Sequence, residues 1–364
     1  MTNPSDGKHR SFTTAPHVLV VAPGDLSLPH GGDVEAARQF QRVLSLNFQS
    51  SFYQFSGHSI LMARSRFLLR LTSWILGYCK YLLTHRLDVV IVYNHPELSF
   101  FTGLLKRTLS LNFKVIPFTA YFPRAEYAFD RESVRRILWL WATALSDAIA
   151  CDPSVRRIAD LHTKPAFELP DTFVDTDNFC FDPAARSTIR DSLGLGDSKV
   201  IGIIGPFHAL NAPSIEWLWK NLDKFRPEFK FMLTGDCPPT YRLSSPRLIY
   251  VGRVDDFAGC LSACDCVLIP RFHASGSPMN KMICSMSVGL PVLTNSPEGM
   301  LVTNEEDAVI GPLEDLPRLT NELMVDPEIT KRIGNNARAF VEKHYSLSSV
   351  EPSFTRCIRS VLAE

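Results

Sequence analysis

A short loop that leads into a predicted helix carries residue types suited to holding a phosphate. Its polar and charged positions are Ser275, Gly276, Ser277, Asn280 and Lys281. Amide groups at a helix N-terminus point outward with partial positive charge, and a lysine beside them adds a full charge. The spacing predicts an anion site, although a capped surface helix with a solvated lysine would show the same residues.

Glycine-containing turns follow several of the predicted strands. Glycine lets a backbone approach a ligand closely, although a glycine pair is usually only a turn. The turns contain Gly31 and Gly32, Gly205, and Gly252-Arg253-Val254. Arg253 and Arg271 each follow a strand, and either could line a ligand site or face solvent.

The first half of the chain has weaker candidates for chemistry. His95 ends a strand segment, and we take it as the candidate catalytic residue, with a packed surface histidine as the alternative. Three polar residues follow the next predicted strand and are candidate acceptor contacts: Tyr121, Arg124 and Glu126.

Short apolar runs that alternate with helical patterns must position these residues. Near-continuous Val/Ile runs are typical of strands buried on both faces of a parallel sheet. The predicted strands are His17–Ala22, Asp88–Tyr93, Lys114–Phe118, Val200–Ile204, Phe229–Leu233, Leu248–Val251, Cys266–Ile269 and Pro291–Thr294. The predicted helices are Glu35–Leu46, Pro96–Leu109, Ser214–Leu222, Phe257–Ala263, Asn280–Val288 and Asp326–Leu362, the last broken at Pro352.

The alternation stops at a proline-marked link and then starts again. A chain of 364 residues also suits two domains better than one. We expect an α/β protein with two doubly wound, Rossmann-like domains, 1–178 and 179–345, and a helical tail, 346–364, that crosses back to the first domain. Such sheets bind ligands at the carboxyl ends of their strands, here in a cleft between the domains. The pattern alone does not distinguish transferases from binding proteins.

Four linked motifs in the second half resemble the donor-binding region of family 4 glycosyltransferases, which have the GT-B fold. They are the Gly252-Arg253-Val254 turn, the stretch from Cys264 to Pro270, the small-residue loop with Lys281, and Met286–Val292. The resemblance runs from about Asp147 to Ser349.

The resemblance implies transfer of a hexose, with retention, from a nucleotide-diphosphate sugar to a glycan or lipid-linked acceptor in polysaccharide or glycolipid synthesis. It requires no metal and no cofactor. It places the nucleobase at residues 252–254. The donor contacts that it implies are Gly31, Gly32, Gly205, Gly252, Arg253, Val254, Ser275, Gly276, Ser277, Asn280 and Lys281. Cys284 also belongs to this donor set.

The chain departs from the family at two acidic positions. The family usually has two glutamates eight residues apart in the donor site, and the matching positions here are Gly276 and Cys284. The second glutamate normally holds the donor ribose. A catalytically silent GT-B protein that binds a nucleotide, a glycan or a partner enzyme is therefore the second hypothesis, and a nucleotide-sugar epimerase is the third.

The charge is unevenly distributed, although the net charge is zero. Residues 1–125 contain 13 Lys and Arg against 6 Asp and Glu, and no acidic residue occurs from Ala36 to Leu87. Ser65–Leu87 combines aromatic and aliphatic residues with Arg66, Arg70 and Lys80, so it suits either a helix on an anionic membrane or one packed on the sheet. No stretch there is long enough to span a bilayer. We expect a cytoplasmic protein with peripheral contact at the inner membrane face and no nucleic-acid partner.

The nine cysteines show no disulfide or metal pattern. The chain has no CxxC pair, which favours a reducing compartment. Cys260, Cys264 and Cys266 lie on a predicted helix end and a buried strand, where cysteine acts as a small hydrophobic residue. We therefore expect no zinc site.

Overall fold

The structure is a computed structural model that describes residues 15–23, 32–55, 65–119, 131–153, 164–205, 207, 212–272, 280–297 and 299–363. The chain divides into two compact units. Unit 1 contains the chain up to Asp152, the segment that ends at Leu169, and the chain from Glu351 onward; unit 2 contains Pro170–Val350.

Unit 1 is built on a parallel sheet of six strands. Its strands are β1 (His17–Pro23), β2 (Gln49–Phe55), β3 (Val89–Tyr93), β4 (Lys114–Thr119), β5 (Ile149–Cys151) and β6 (Ala166–Glu168), and its helices are α1 (Gly32–Ser45), α2 (Ser65–Thr84), α3 (Pro96–Thr108) and α4 (Arg131–Leu145). The strand order is β2-β1-β3-β4-β5-β6. All five residues of β3 are buried, because helices cover both faces of the sheet.

Side chains that alternate along the strands of unit 1 serve two different cores. Val90 and Val92 pack with Tyr78 and Leu82 of α2 on one face. On the other face, the Phe40 ring of α1 meets the Tyr93 ring edge-on at 5.2 Å between centroids. The strand period of two thus places α1 and α2 on opposite faces.

Unit 2 repeats this architecture with a different strand order. Its elements are α5 (Pro183–Ser192), β7 (Val200–Ile204), α6 (Ala212–Lys220), β8 (Lys230–Thr234), β9 (Leu248–Gly252), α7 (Phe257–Ser262), β10 (Cys266–Ile269), α8 (Asn280–Ser287), β11 (Val292–Thr294), β12 (Val309–Ile310), α9 (Leu316–Val325) and α10 (Pro327–His344). The last helix, α11 (Leu347–Ala363), begins in unit 2 and belongs to unit 1 from Glu351 onward. The order is β12-β11-β10-β7-β8-β9, all parallel. Successive strands run to one side of β7 and then, from β10, to the other, so the topological switch point lies between β7 and β10.

Local signals start several helices in unit 2. Asp182 accepts hydrogen bonds from the amides of Ala184 and Ala185 at 2.8 and 3.0 Å and so caps α5, with Pro183 in its first turn. Asp326 and Pro327 begin α10 in the same way. An N-cap aspartate accepts from amides that have no partner inside the helix, which fixes where each helix begins.

The predicted break at Pro352 is wrong. The helical tail is interrupted at Tyr345 and Ser346, where the backbone pairs with Val174, and α11 continues through Pro352. The Ser346 hydroxyl accepts from the Ser349 amide at 3.1 Å and caps the new helix. The bridge to Val174 thus sets where the tail is interrupted, and α11 tolerates the local cost of its proline.

The sequence patterns missed four strands and three helices. They are β2, β5, β6, β12, α4, α5 and α9. Strands β5 and β6 have three residues each and β12 has two, so they are too short to show a period.

Helix α2 packs on the sheet of unit 1 through the part whose side chains the structure describes. Tyr78 is fully buried and its hydroxyl is 2.8 Å from the Thr102 hydroxyl of α3. Leu76 and Leu83 of the same helix are 69% and 57% exposed. None of the described helices is long and apolar enough to cross a membrane.

Candidate functional site

The candidate site of unit 2 lies at the carboxyl edge of its sheet, beside the β7/β10 switch point. Gly205 follows β7, Arg271 follows Pro270 at the end of β10, and Asn280 begins α8. Loops on the two sides of a switch point diverge and leave a crevice, which is where doubly wound sheets bind ligands. The β7 and β10 registers, with Cys266 opposite Ile201, bring these loops to one edge.

Gly205 makes a tight turn that only a glycine fits. Its amide donates to the Thr234 carbonyl at 2.7 Å, and the Phe207 amide donates to the Asp236 carbonyl at 2.8 Å. A Cβ on residue 205 would lie 2.9 Å from the Phe207 nitrogen. The turn is therefore held against the loop after β8 and presents backbone rather than a side chain at the carboxyl edge.

The Gly252-Arg253-Val254 turn adopts a conformation that selects glycine. Gly252 has φ of +75° and its carbonyl accepts from the Gly235 amide at 2.6 Å. Arg253 is exposed, whereas Val254 packs against the core of the unit. The turn therefore holds a positively charged side chain in solvent at the carboxyl edge.

Helix α8 is a rigid support for the residues at its start. Met282, Ile283 and Met286 are fully buried, so the helix cannot shift without opening the core. Cys284 is also buried, and its thiol donates to the Asn280 side-chain oxygen at 3.1 Å. Neither group offers a carboxylate to a ribose, which is the chemical consequence of having cysteine where the family has glutamate.

Lys281, in the first turn of α8, is a half-buried cation. Burial, and then the nearby positive charge of Arg271, lower the pKa of the Lys281 ammonium from 10.5 to about 8. The ammonium makes no hydrogen bond or ion pair with any residue in the described part of the chain. Two cations held together in a partly desolvated place favour a bound anion, since it would relieve their repulsion.

The role of Arg271 at this edge is evident only in the structure. Its amide donates to the Asn295 side-chain oxygen at 2.7 Å, and the Asn295 amide group donates back to the Arg271 carbonyl at 3.0 Å. This reciprocal pair joins the loops after β10 and β11 and fixes the backbone of Arg271. The sequence left Arg271 undecided between a ligand site and solvent, because its partner is 24 residues away.

Several predicted site residues lie outside the described part of the chain. They are Gly31, Ser275, Gly276, Ser277, Tyr121, Arg124 and Glu126. Gly32 is the first residue of α1 and lies at the carboxyl edge of the sheet in unit 1. The roles of Gly32 and of these seven residues stay predictions.

His95 lies at the switch point of unit 1, between β1 and β3. It is the N-cap of α3, and its Nδ1 accepts from the Leu98 amide at 3.2 Å. The same nitrogen is 3.2 Å from Oε2 of Glu97, and both side chains are buried. The preceding Asn94 has φ of +48°, a conformation that asparagine tolerates better than most residues.

The nine cysteines are all free thiols. Burial raises the pKa of the Cys264 and Cys266 thiols, so both stay protonated. No group of three or more potential metal ligands occurs among the described residues.

The two sheets and their edge loops define a two-domain, Rossmann-like α/β protein with the GT-B fold, as predicted. HepE of Anabaena, solved in complex with UDP-glucose, is similar over 94% of this chain and 99% of its own, at 15% identity and a TM-score of 0.72. Sucrose-phosphate synthase from Thermosynechococcus elongatus is similar over 96% of this chain and 99% of its own, at 15% identity and a TM-score of 0.74. S. aureus MnaA, solved with UDP, is similar over 96% of this chain and 97% of its own, at 13% identity and a TM-score of 0.60.

The site-bearing segment also matches a known family by sequence. Residues 198–324, from before β7 into α9, match the family described as glycosyl transferases group 1. The match agrees with the resemblance drawn from the sequence, which includes the same segment. No curated protein matches the chain by sequence.

Proposed function

We propose that this protein transfers a hexosyl group, with retention, from a nucleoside-diphosphate sugar to a glycan or lipid-linked acceptor. The observation that carries the proposal is the pair of cations, Lys281 and Arg271, at the start of α8 beside the switch point of unit 2. Solved structures with the same fold contain UDP-glucose in HepE and UDP in MnaA, which supports a nucleotide donor for this chain as well.

In this proposal the cations act on the departing diphosphate. The bond between the anomeric carbon and the diphosphate oxygen breaks, and negative charge grows on that oxygen. Lys281, Arg271 and the N-terminus of α8 stabilise this charge, and no metal is required. The acceptor oxygen forms the new bond to the anomeric carbon, and its proton passes to the departing diphosphate oxygen.

The remaining donor contacts follow from the backbone geometry. Gly205 and Gly252 allow close approach of the nucleotide, and Arg253 and Val254 flank the base. Cys284 and Asn280 meet the ribose without a carboxylate, so we expect ribose contacts through the amide group. His95 is the candidate catalytic residue, and Tyr121, Arg124 and Glu126 are the candidate acceptor contacts. Peripheral membrane contact in the cytoplasm would suit a lipid-linked acceptor.

Cys284 is also the observation that favours a second candidate function. A catalytically silent protein that binds the nucleotide without transferring sugar would tolerate the loss of the ribose carboxylate. The two functions share the anion site and differ only in turnover.

The proposal predicts that Lys281→Met weakens binding of UDP or GDP about 10- to 100-fold, because one charge-assisted hydrogen bond to the diphosphate is lost. Isothermal titration calorimetry against UDP, GDP and their hexose conjugates measures the effect. Lys220→Met, at an exposed lysine at the end of α6, is the matched control and should bind like the unaltered protein. If Lys281→Met and the unaltered protein bind UDP or GDP with equal affinity, Lys281 does not contact the diphosphate and the proposed site is wrong.

Turnover separates the two functions. Release of UDP or GDP from the nucleotide sugar that binds, followed by mass spectrometry of the acceptor product, demonstrates transfer. Tight binding without release or product would leave the silent interpretation, and conversion of the free nucleotide sugar into its epimer would reveal an epimerase.

A further inference from the structure

Three helices of unit 1 form one outer layer. The Tyr78 hydroxyl of α2 is 2.8 Å from the Thr102 hydroxyl of α3. The Phe100 ring of α3 lies 5.7 Å from the Trp141 ring of α4, centroid to centroid. Helices α2, α3 and α4 are therefore neighbours on the same side of the sheet.

Large apolar side chains on the described parts of these helices are exposed. They are Leu76, Leu83, Leu104, Ile137, Leu140 and Trp141, exposed by 69, 57, 41, 51, 38 and 57% respectively. On α4 the exposed residues recur at helical spacing, while Trp139 and Ala142 between them are buried. A cluster of this kind marks an interaction surface, whereas single exposed apolar residues do not.

The charges on this layer have one sign. Lys80 of α2 and Arg107 of α3 are exposed. Glu97 of α3 is buried, and no acidic residue is exposed among the described side chains of the three helices. The surface is therefore complementary to an anionic partner. Docking against the same face of a second copy would instead bring like charges together.

We propose that the outer face of α2, α3 and α4 binds the surface of an anionic lipid bilayer. Apolar side chains enter the boundary between headgroups and acyl chains, and Lys80 and Arg107 contact lipid phosphates. Trp141 suits this boundary, because its ring is apolar and its indole N–H is polar. This surface is built without any residue of the donor site, so it succeeds or fails separately from the proposed transferase function.

Vesicle co-sedimentation of the full chain, without nucleotide sugar, tests the proposal. The protein should pellet with vesicles of equal parts phosphatidylglycerol and phosphatidylcholine, and much less with phosphatidylcholine alone. The double variant Ile137→Glu/Trp141→Glu should bind the anionic vesicles about ten-fold or more weakly, because two carboxylates replace apolar contacts. Trp219→Glu, at a 43% exposed tryptophan of α6 in unit 2, is the matched control and should bind normally.

Far-UV circular dichroism and an unchanged melting temperature would show that the double variant is folded. Trp141→Phe, a milder change, should reduce the quenching of tryptophan fluorescence by brominated lipid and keeps the test valid if the double variant unfolds. Failure of the unaltered protein to bind anionic vesicles, or equal binding by the folded double variant, overturns the proposal. A dimer that the double variant dissociates, with no lipid binding, would assign the face to a second copy and also overturn it.

Discussion

Lys281 and Arg271 are two cations whose positive charges act on each other at the candidate site. Burial, and then the charge of Arg271, lower the pKa of the Lys281 ammonium to about 8. The reciprocal bonds of Asn295 fix the backbone of Arg271, and buried Met282 and Ile283 fix the helix that carries Lys281. An anion bound beside both side chains would weaken the repulsion between them.

The lowered pKa of Lys281 predicts a pH dependence of stability. Between pH 8 and 10.5 the unfolded chain holds the lysine proton and the folded chain has released it, so the free energy of unfolding rises with pH in this window. Relative to Lys281→Met, the unaltered protein should gain on the order of 1–3 kcal/mol from pH 8 to pH 10.5. Urea unfolding of both proteins at several pH values measures the difference, because their other titrating groups are shared. Parallel stability curves would show that Lys281 titrates normally.

At the scale of elements, the strand-to-loop junctions of unit 2 depend on two glycines for different reasons. Gly205 has no room for a Cβ because the backbone of Phe207 is too close. Gly252 has open space around it but a positive φ. Gly205 is therefore required by steric contact with its surroundings, whereas Gly252 is required by its own backbone conformation.

We therefore predict that Gly205→Ala destabilises unit 2 by about 1–3 kcal/mol, since the backbone must move to relieve the contact. Gly252→Ala should cost about 1–2 kcal/mol, from conformational strain alone. Chemical denaturation measures both, and titration with UDP should show a further loss for Gly205→Ala because the turn moves. Unchanged stability of Gly205→Ala would mean that the turn has more freedom than its close packing indicates.

Helix α11 contains a proline that packing retains against local preference. Pro352 has no amide hydrogen, so one helical hydrogen bond is lost. Buried Phe354 and Cys357 hold the helix in place around it. Pro352→Ala is expected to raise stability by about 1–3 kcal/mol, because it restores this bond. A lower melting temperature for Pro352→Ala would show that the proline conformation is needed for packing.

At the scale of the molecule, the chain returns to unit 1 at its end. The rings of Phe354 and Phe40 lie 4.7 Å apart, centroid to centroid, and Asn47 donates to Thr355 at 3.2 Å. Glu351 also accepts from Asn47. The last helix thus contributes to the core of the unit that the first helix begins.

Phe354→Ala should destabilise unit 1 by about 3–5 kcal/mol, since a fully buried ring is removed. Hydrogen exchange followed by mass spectrometry should show faster exchange in β1, β3 and α1, with little change in β7 and β8. Phe231→Ala, at an equally buried phenylalanine of unit 2, is the matched variant and should show the opposite distribution. Faster exchange in unit 2 of Phe354→Ala would mean that the two units unfold together.

Much of the architecture could be predicted because it is encoded locally. The strand at Val200–Ile204 and the helix at Asn280–Ser287 were recognised from apolar runs and spacing, and their limits changed by at most one residue. The candidate anion site was placed on Lys281 and its loop from the sequence, and it stays a prediction; the nearness of Arg271 was not predicted. That partner depends on the approach of two loops, which no local pattern contains.

The sequence by itself determined that two sets of buried parallel strands alternate with helices, and that the second set carries motifs that resemble a glycosyltransferase donor-binding region. Burial on both faces requires continuous apolar runs, and these can be read from neighbouring residues. Only the tertiary structure decided the strand order, the switch points, the pairing of Lys281 with Arg271 and the break at Ser346. Each of these depends on contacts between residues far apart in the chain, whose free energy outweighs local preference.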